Sequence, residues 1–259
     1  MSEAKTLTLT SLPGIPEIQP GDALGKIIFG ALQQAGLTLE DGDILILAQK
    51  IVSKAEGRLV NLSTIQPSPR ALELAAFLNK RPELVELILR ESTVVLRTRP
   101  GTIIVEHKSG FVCANAGIDH SNVAGPWGEA EDWVLLLPED SDRSAQAVRA
   151  DLERLSGKRL GILIIDSHGR AWRNGVLGCT IGAAGLPALV DMRGQPDRQN
   201  YALRVTTIAA ADELAAGASL LMGQAAEGTP VVHARGFPYA LREGTSKELI
   251  RDKSSDLFR

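Results

Sequence analysis

The chain has 259 residues, 44% of them hydrophobic, enough for one large domain or two modest ones around a sizeable core. Its 28 Lys and Arg face 31 Asp and Glu, a net charge of -3, so the overall balance gives no basis for nonspecific binding of nucleic acid or of a membrane surface, and any basic site must be local. No stretch reaches the roughly eighteen consecutive apolar residues of a membrane span, and the amino-terminal MSEAKTLTLTSL has no apolar signal core; the expected location is cytoplasmic.

Residues 6–10 alternate as a strand, after which Pro13-Gly14-Ile15-Pro16 imposes an extended, turn-prone segment. A loop that rigid could hold a flat ring; the plainer reading is a strand-to-helix connection. Residues 21–36 put Leu24, Ile27, Ile28 and Leu32 on one helical face and stop at Gly36. An apolar strand over residues 43–48 runs into QKIVSKAEGR, where Lys50, Lys54 and Arg58 recur at every fourth position and would share one face of a helix. Phosphate is the natural partner of such a row, and a solvated helix edge is the competing reading.

Two short amphipathic helices are expected over residues 68–79, with Ser68 as N-cap and Pro69 in the first turn, and over residues 82–90. Strands over 93–96 and 102–106 form a hairpin around Arg99-Pro100-Gly101, and a third over 111–113 leads into NAGIDHSN, where Asp119 emerges. A strand over 134–137 and a capped helix over 141–155 follow. Residues 160–165 read as a strand buried on both faces and ended by Asp166, beyond which Ser167, Gly169, Arg170 and Arg173 could converge on an ion. Asp166 would serve equally as a cap of the next turn, and Asp119 as part of an Asx-rich turn. Two acids after two strands nevertheless make a divalent-cation site a candidate, because Mg²⁺ or Mn²⁺ is held by one or two carboxylates together with substrate phosphates.

Gly175, Gly178, Gly182 and Gly185 fit neither G-x-G-x-x-G nor G-x-x-x-x-G-K-[ST], so a bound nucleotide would be held by neither a Rossmann turn nor a P-loop, and these glycines read as points of close backbone packing. An Ala-rich helix over residues 203–221 ends at Met222-Gly223; a loop over 224–229 and a closing strand over 230–234 follow. His107, His120, His168 and His233 are scattered and receive no catalytic role. Cys113 and Cys179 match no metal-ligand spacing and read as two buried, reduced thiols. The last fifteen residues are charged and expected to be mobile.

Taken in order, LPGIPEI with GDAL, AQKIVSKAEGR, NAGIDHSN, DSHGRAWRNGVLGCTIGAAG and LLMG resemble the coenzyme F420-0:γ-glutamyl ligase family over about residues 12–236. The resemblance implies an α+β, two-domain chain that forms an intertwined homodimer. Residues 1–259 would be one ligase unit with two subdomains, roughly residues 1–90 with 187–259, and residues 91–186. The implied activity is GTP-dependent and metal-dependent attachment of L-glutamate to coenzyme F420-0, in many members followed by further γ-linked glutamates, in coenzyme F420 biosynthesis. Carried over by motif, Leu12, Pro13, Gly14, Ile15, Gln49, Lys50, Lys54 and Asn122 would contact the guanine nucleotide. The loop Met222, Gly223, Gln224, Ala225, Ala226, Glu227, Gly228 and Thr229 would add contacts, mostly from backbone.

Asp119, Asp166, Ser167 and Gln224 would hold Mg²⁺ or Mn²⁺ as a pair of ions, with a monovalent cation such as K⁺ a further candidate. Ser167 stands where many relatives have threonine, which keeps the hydroxyl ligand; Gln224 stands where some have glutamate, which makes that ligand neutral. Lys54 and Arg173 would face the developing phosphoryl charge. A carboxylate and an amine form a salt in water, so the acid must be activated, and phosphorylation to an acyl phosphate needs positioning and charge compensation rather than a protein nucleophile. That agrees with the lack of a Ser/His/Asp or Cys/His constellation. A ligase acting on another carboxylate, or a noncatalytic GTP sensor, would carry the same triphosphate site; substrate assays and glutamate-dependent phosphate release separate them.

Overall fold

The computed structural model describes residues 4–123 and 125–258. In chain order the elements are β1 (Thr8–Ser11), α1 (Leu24–Gln34), β2 (Ile44–Ala48), α2 (Gln49–Ala55), β3 (Leu59–Asn61), α3 (Pro69–Leu78), α4 (Pro82–Arg90), β4 (Ser92–Arg99), β5 (Thr102–His107), β6 (Val112–Ala114), β7 (Trp133–Leu135), α5 (Ser141–Ser156), β8 (Gly161–Arg170), β9 (Arg173–Ala184), β10 (Val190–Asp191), β11 (Thr207–Ile208), α6 (Ala210–Met222) and β12 (Val231–Arg235). No helix among the described residues is long and apolar enough to cross a membrane.

The organising sheet runs β1-β12-β2-β8-β9, with β2 and β8 parallel and the other neighbours antiparallel. Its central strands are apolar without alternation because both faces are covered. Leu45, Leu47, Ile162 and Ile164 meet Ile28 and Leu32 of α1 and Val148 and Leu152 of α5. Ile44, Ile46, Leu163 and Ile165 meet Leu214, Ala215 and Ala218 of α6 on the other side. Burial of each such Leu or Ile contributes about 1.5–3 kcal/mol, which makes this helix–sheet–helix block the rigid support for whatever sits at the strand ends.

A second core joins α3 and α4 to the β4-β5-β6 sheet and β7 through Leu78, Val85, Ile88, Ile103, Val105 and Val134. The Ser68 hydroxyl accepts from the Ala71 N–H at 3.3 Å and Pro69 opens α3, as the sequence predicts. The α+β character stands, but sheet hydrogen bonds cross the expected subdomain line: β8 and β9, numbered within residues 91–186, belong to the same sheet as β2 and β12. The apolar clusters separate instead into the block around that sheet and a core drawn from residues 62–136.

Several local expectations are corrected. The strand does not stop at Asp166; β8 continues to Arg170 because β9 stays paired with it, Asp166 opposite Cys179 and Arg170 opposite Arg173. The Ala-rich helix starts at Ala210, and the residues before it, β-branched at Val205, Thr206, Thr207 and Ile208, instead supply β11 against β10. Arg58 lies beyond the end of α2 and leaves the cationic row, its Nε donating to the Leu137 carbonyl at 2.9 Å and its Nη2 to Glu91 at 2.9 Å. The tail is packed: Lys253 Nζ sits 2.7 Å from Glu106 Oε1, and the Phe258 and Trp172 rings lie 5.0 Å apart, while Arg259 falls outside the described residues. Both cysteines are free, Cys113 buried with its thiol pushed up to about 12 by burial, Cys179 only half-buried.

His107 is 3% exposed, and its Nδ1 accepts from the Ser109 N–H at 3.0 Å. Burial pushes the imidazole down to about 4 against the raising effect of Glu91, with Lys108, Arg58 and His168 lowering it further. The folded state therefore resists a proton that the unfolded chain takes up near its ordinary value of 6.5. Stability from this group is full above pH 6.5 and is lost as pH falls towards 4, on the order of 3 kcal/mol in all. Urea unfolding of the wild type and of His107→Gln at pH 7.5 and pH 4.5 should show the loss shrinking in the variant by that order; an identical acid loss in both would rule this account out.

Candidate active site

A cavity of about 460 Å³ opens at the carboxyl ends of the parallel strands β2 and β8, where open sheets present their loops to ligands. One wall is α2, which follows β2 without a break and turns Gln49, Lys50 and Lys54 inward. A second is the protruding part of β8 with Ile165, Asp166 and Ser167. A third is the loop after α6, whose residues from Met222 to Thr229 all line the space; Asn122 closes the rim, its Nδ2 donating to the Ala225 carbonyl at 3.2 Å.

Of the early loop, Ile15 reaches the cavity together with Pro16, Glu17 and Ile18, which sequence reasoning did not select. Leu12 does not: it is fully buried in the core, with its N–H donating to the Val231 carbonyl, and Pro13 and Gly14 are exposed away from the lining. Arg173 is also apart, exposed at the far end of the β8–β9 hairpin opposite Arg170.

Asp119 does not line the cavity; it meets α2 through Gln49 and Lys50. Its backbone is pinned to Leu135 by reciprocal hydrogen bonds of 3.0 and 2.9 Å, and its carboxylate accepts from Gln49 Nε2 at 2.8 Å with Lys50 Nζ 3.6 Å away. The Ser53 hydroxyl donates to Gln49 Oε1 at 2.8 Å, which turns the amide donor towards Asp119. The approach to Asp119 is unusual: Asn115, Ala116 and Gly117 have φ of 52, 55 and 67°, three successive left-handed residues. Such a conformation costs of order 1–3 kcal/mol per non-glycine residue and persists only where its surroundings enforce it. Burial raises the Asp119 carboxyl and the charge of Asp166 adds to the rise, against Lys50 and Gln49.

Asp166 has a partner that the sequence did not reveal. A ring nitrogen of His168, two residues along the same strand face, lies 3.1 Å from Asp166 Oδ2. Burial alone would lower this imidazole, but the Asp166 hydrogen bond and the adjacent Cys179 push it up to about 10, so at neutral pH it donates as an imidazolium and orients the carboxylate. The D-x-H spacing carries that signal only once residues 166–168 are known to be strand rather than turn. On the opposite face the Ser167 hydroxyl donates to Gln224 Oε1 at 2.9 Å, joining β8 to the loop after α6.

This arrangement of loops and acids coincides with a match to known proteins. A family model described as F420-0:Gamma-glutamyl ligase covers residues 14–236. The chain belongs to that family. It is 43% identical over 255 residues to the coenzyme F420:L-glutamate ligase of Methanothermobacter thermautotrophicus, covering 98% of this chain and 99% of the relative. It is 44% identical over 263 residues to the protein of the same name from Methanopyrus kandleri, covering both chains fully. The corresponding protein of Archaeoglobus fulgidus is 42% identical over 246 residues, 95% of this chain and 94% of its own.

The donors that this F420-0:γ-glutamyl ligase family member offers a metal are all hard oxygens: the carboxylates of Asp119 and Asp166, the Ser167 hydroxyl and the Gln224 amide. No group of three or more His, Cys, Asp or Glu gathers among the described residues. Asp166, Ser167 and Gln224 line the cavity while Asp119 lies outside its lining, against Gln49 and Lys50; so few protein oxygens suit an ion such as Mg²⁺ or Mn²⁺, which keeps water and takes phosphate oxygens to complete its shell. Lys50 and Lys54 line the same cavity, two cations of a kind that can meet phosphate oxygens.

Proposed function

We propose that the chain joins L-glutamate to coenzyme F420-0 at the expense of GTP, working as a homodimer in coenzyme F420 biosynthesis. The observation that carries the reading is one cavity bounded on one side by Lys50 and Lys54 and on the other by Asp166, Ser167 and Gln224, which suits a triphosphate lying between cations and metal-binding oxygens. Asp119, Asp166, Ser167 and Gln224 would hold Mg²⁺ or Mn²⁺, whose role when bound is to neutralise phosphate charge. Lys54, 9% exposed, offers a largely desolvated ammonium to the transferring group, where it counts for more than it would in water. Ile15, Pro16 and Ile18, with Ile51 of α2, give the cavity apolar lining that would receive the base. Arg173 receives no part in phosphoryl transfer, since the strand pairing keeps it at the hairpin end.

In the proposed reaction the substrate carboxylate attacks the γ-phosphorus, GDP leaves, and the amine of glutamate then displaces inorganic phosphate from the acyl carbon, losing a proton as the amide forms. No side chain forms a covalent bond, consistent with a Cys113 thiol that burial keeps protonated. Ligation with F420-0 carrying ¹⁸O in its carboxylate should move one labelled oxygen into released phosphate, with GDP as the other product. Label in GMP, or an acyl group on the denatured protein, would defeat the mechanism. Equal turnover with ATP and GTP at subsaturating concentration would remove the guanine assignment, and amide formation only with some other carboxylate would leave the chemistry but change the substrate.

A further inference from the structure

In the protein by itself, the positive groups of the cavity are already matched by the chain's own carboxylates. Lys54 is ion-paired with Glu17, the lysine side chain 11% exposed and the glutamate 71%. In the loop after α6, Glu227 folds back so that Oε2 accepts from the Ala225 N–H at 2.8 Å. Backbone N–H groups of Ala225, Glu227 and Gln224 together hold its carboxyl below the usual range. The fold-back needs a glycine, since a Cβ on Gly223 would lie 2.1 Å from the Glu227 carboxyl carbon. Both Glu17 and Glu227 line the cavity.

Exposed carboxylates of this kind add little to folding, because surface ion pairs contribute little and water replaces them readily. A backbone ring that gathers one carboxylate is, however, equally a receptor for a phosphate oxygen. We propose that Glu17 and Glu227 are internal counter-anions: they occupy Lys54 and the amide ring of residues 224–227 in the free protein, give them up to the phosphates of an incoming nucleotide, and thereby set its affinity. This rests on reading the cavity as a nucleoside triphosphate site. Such competition weakens apparent affinity by the fraction of time the receptor is free, so a ring filled about nine-tenths of the time costs the ligand roughly tenfold.

The test is calorimetric titration of the full chain and of Glu227→Gln, Glu227→Ala, Glu17→Gln and the Glu17→Gln/Glu227→Gln pair with GTP, tripolyphosphate and guanosine, in EDTA and again with Mn²⁺. Each single variant should tighten GTP and tripolyphosphate by about three- to tenfold, the pair by about the product, with guanosine unaffected. Unchanged or weaker phosphate binding overturns the inference, and weakening confined to Mn²⁺ does so by making the glutamate a metal ligand. Tighter tripolyphosphate in the variants, with no advantage of GTP over it in any of them, keeps the counter-anions and removes the nucleotide reading. Tight GTP binding by the wild type that no variant alters does the reverse.

Discussion

Asp166→Asn and Asp119→Asn should each lower ligation by about a thousandfold while leaving the protein folded. On the proposed metal site, a bound ion would contribute several kcal/mol by neutralising charge at the transferring group, and each substitution would replace a proposed charged oxygen ligand with a neutral one of the same shape. Stability should respond in the opposite sense at Asp119. Its carboxylate is half-buried, and burial together with the charge of Asp166 disfavours the ionised form more than Lys50 and Gln49 favour it, so the charge costs the fold. Asparagine keeps the acceptor for Gln49 Nε2, so Asp119→Asn should melt at or above the wild-type temperature in EDTA. At Asp166 the change also removes the anionic partner of His168, and a small loss of stability is expected there. Glutamate-dependent phosphate release and thermal melts on the same preparations decide the matter. Folded, fully active variants would remove both residues from the metal site, and unfolded ones would make the acids structural.

Gly182→Ala should destabilise the protein by about 2–3 kcal/mol, one of the larger effects of adding a single methyl group. A Cβ at this position would lie 2.4 Å from the Ser141 carbonyl oxygen and 2.7 Å from the Ser141 Cβ, so the first turn of α5 would have to move. That turn is anchored from both ends: Asp140 accepts from the Arg143 N–H at 3.0 Å, and Asp142 accepts from the Ala183 and Ser246 N–H groups at 2.8 Å each. Gly169, in the same hairpin, has nothing within 4 Å of such a Cβ, and Gly169→Ala serves as the matched control, with a change near zero. Denaturant midpoints of the two variants should differ accordingly; equal midpoints would show that α5 shifts freely and that Gly182 is no packing point.

The glycine spacing was legible because only close approach or a positive φ explains glycine within an apolar strand. Gly178 and Gly182 meet backbone oxygens of α6 and α5, and Gly185 meets the Leu160 carbonyl, whereas Gly175 is a turn glycine at φ +86° with open space around it. The helix caps, the two-sided burial of β2 and the first half of β8, and the cationic face of α2 were legible for the same reason: each depends on a short run of residues whose periodicity or chemistry allows few conformations. The order of motifs was enough for the family.

Tertiary structure alone decided where β8 ends, because a strand of mixed polarity such as Asp166-Ser167-His168-Gly169-Arg170 is stabilised only by its partner, and β9 lies beyond a turn at Ala171 and Trp172. From that one difference came the pairing of His168 with Asp166 on one face and of Ser167 with Gln224 on the other. It also kept Arg173 out of the cavity. Leu12 and Ile15 are separated the same way: both are apolar and near Pro-Gly, and only the packing of β1 against β12 turns the first into core and the second towards the cavity. Local sequence thus determined the elements and the chemistry they carry. Contacts between residues dozens of positions apart determined which side chains face one another, since no local preference encodes the geometry of a site assembled from β2, β8 and the loop after α6.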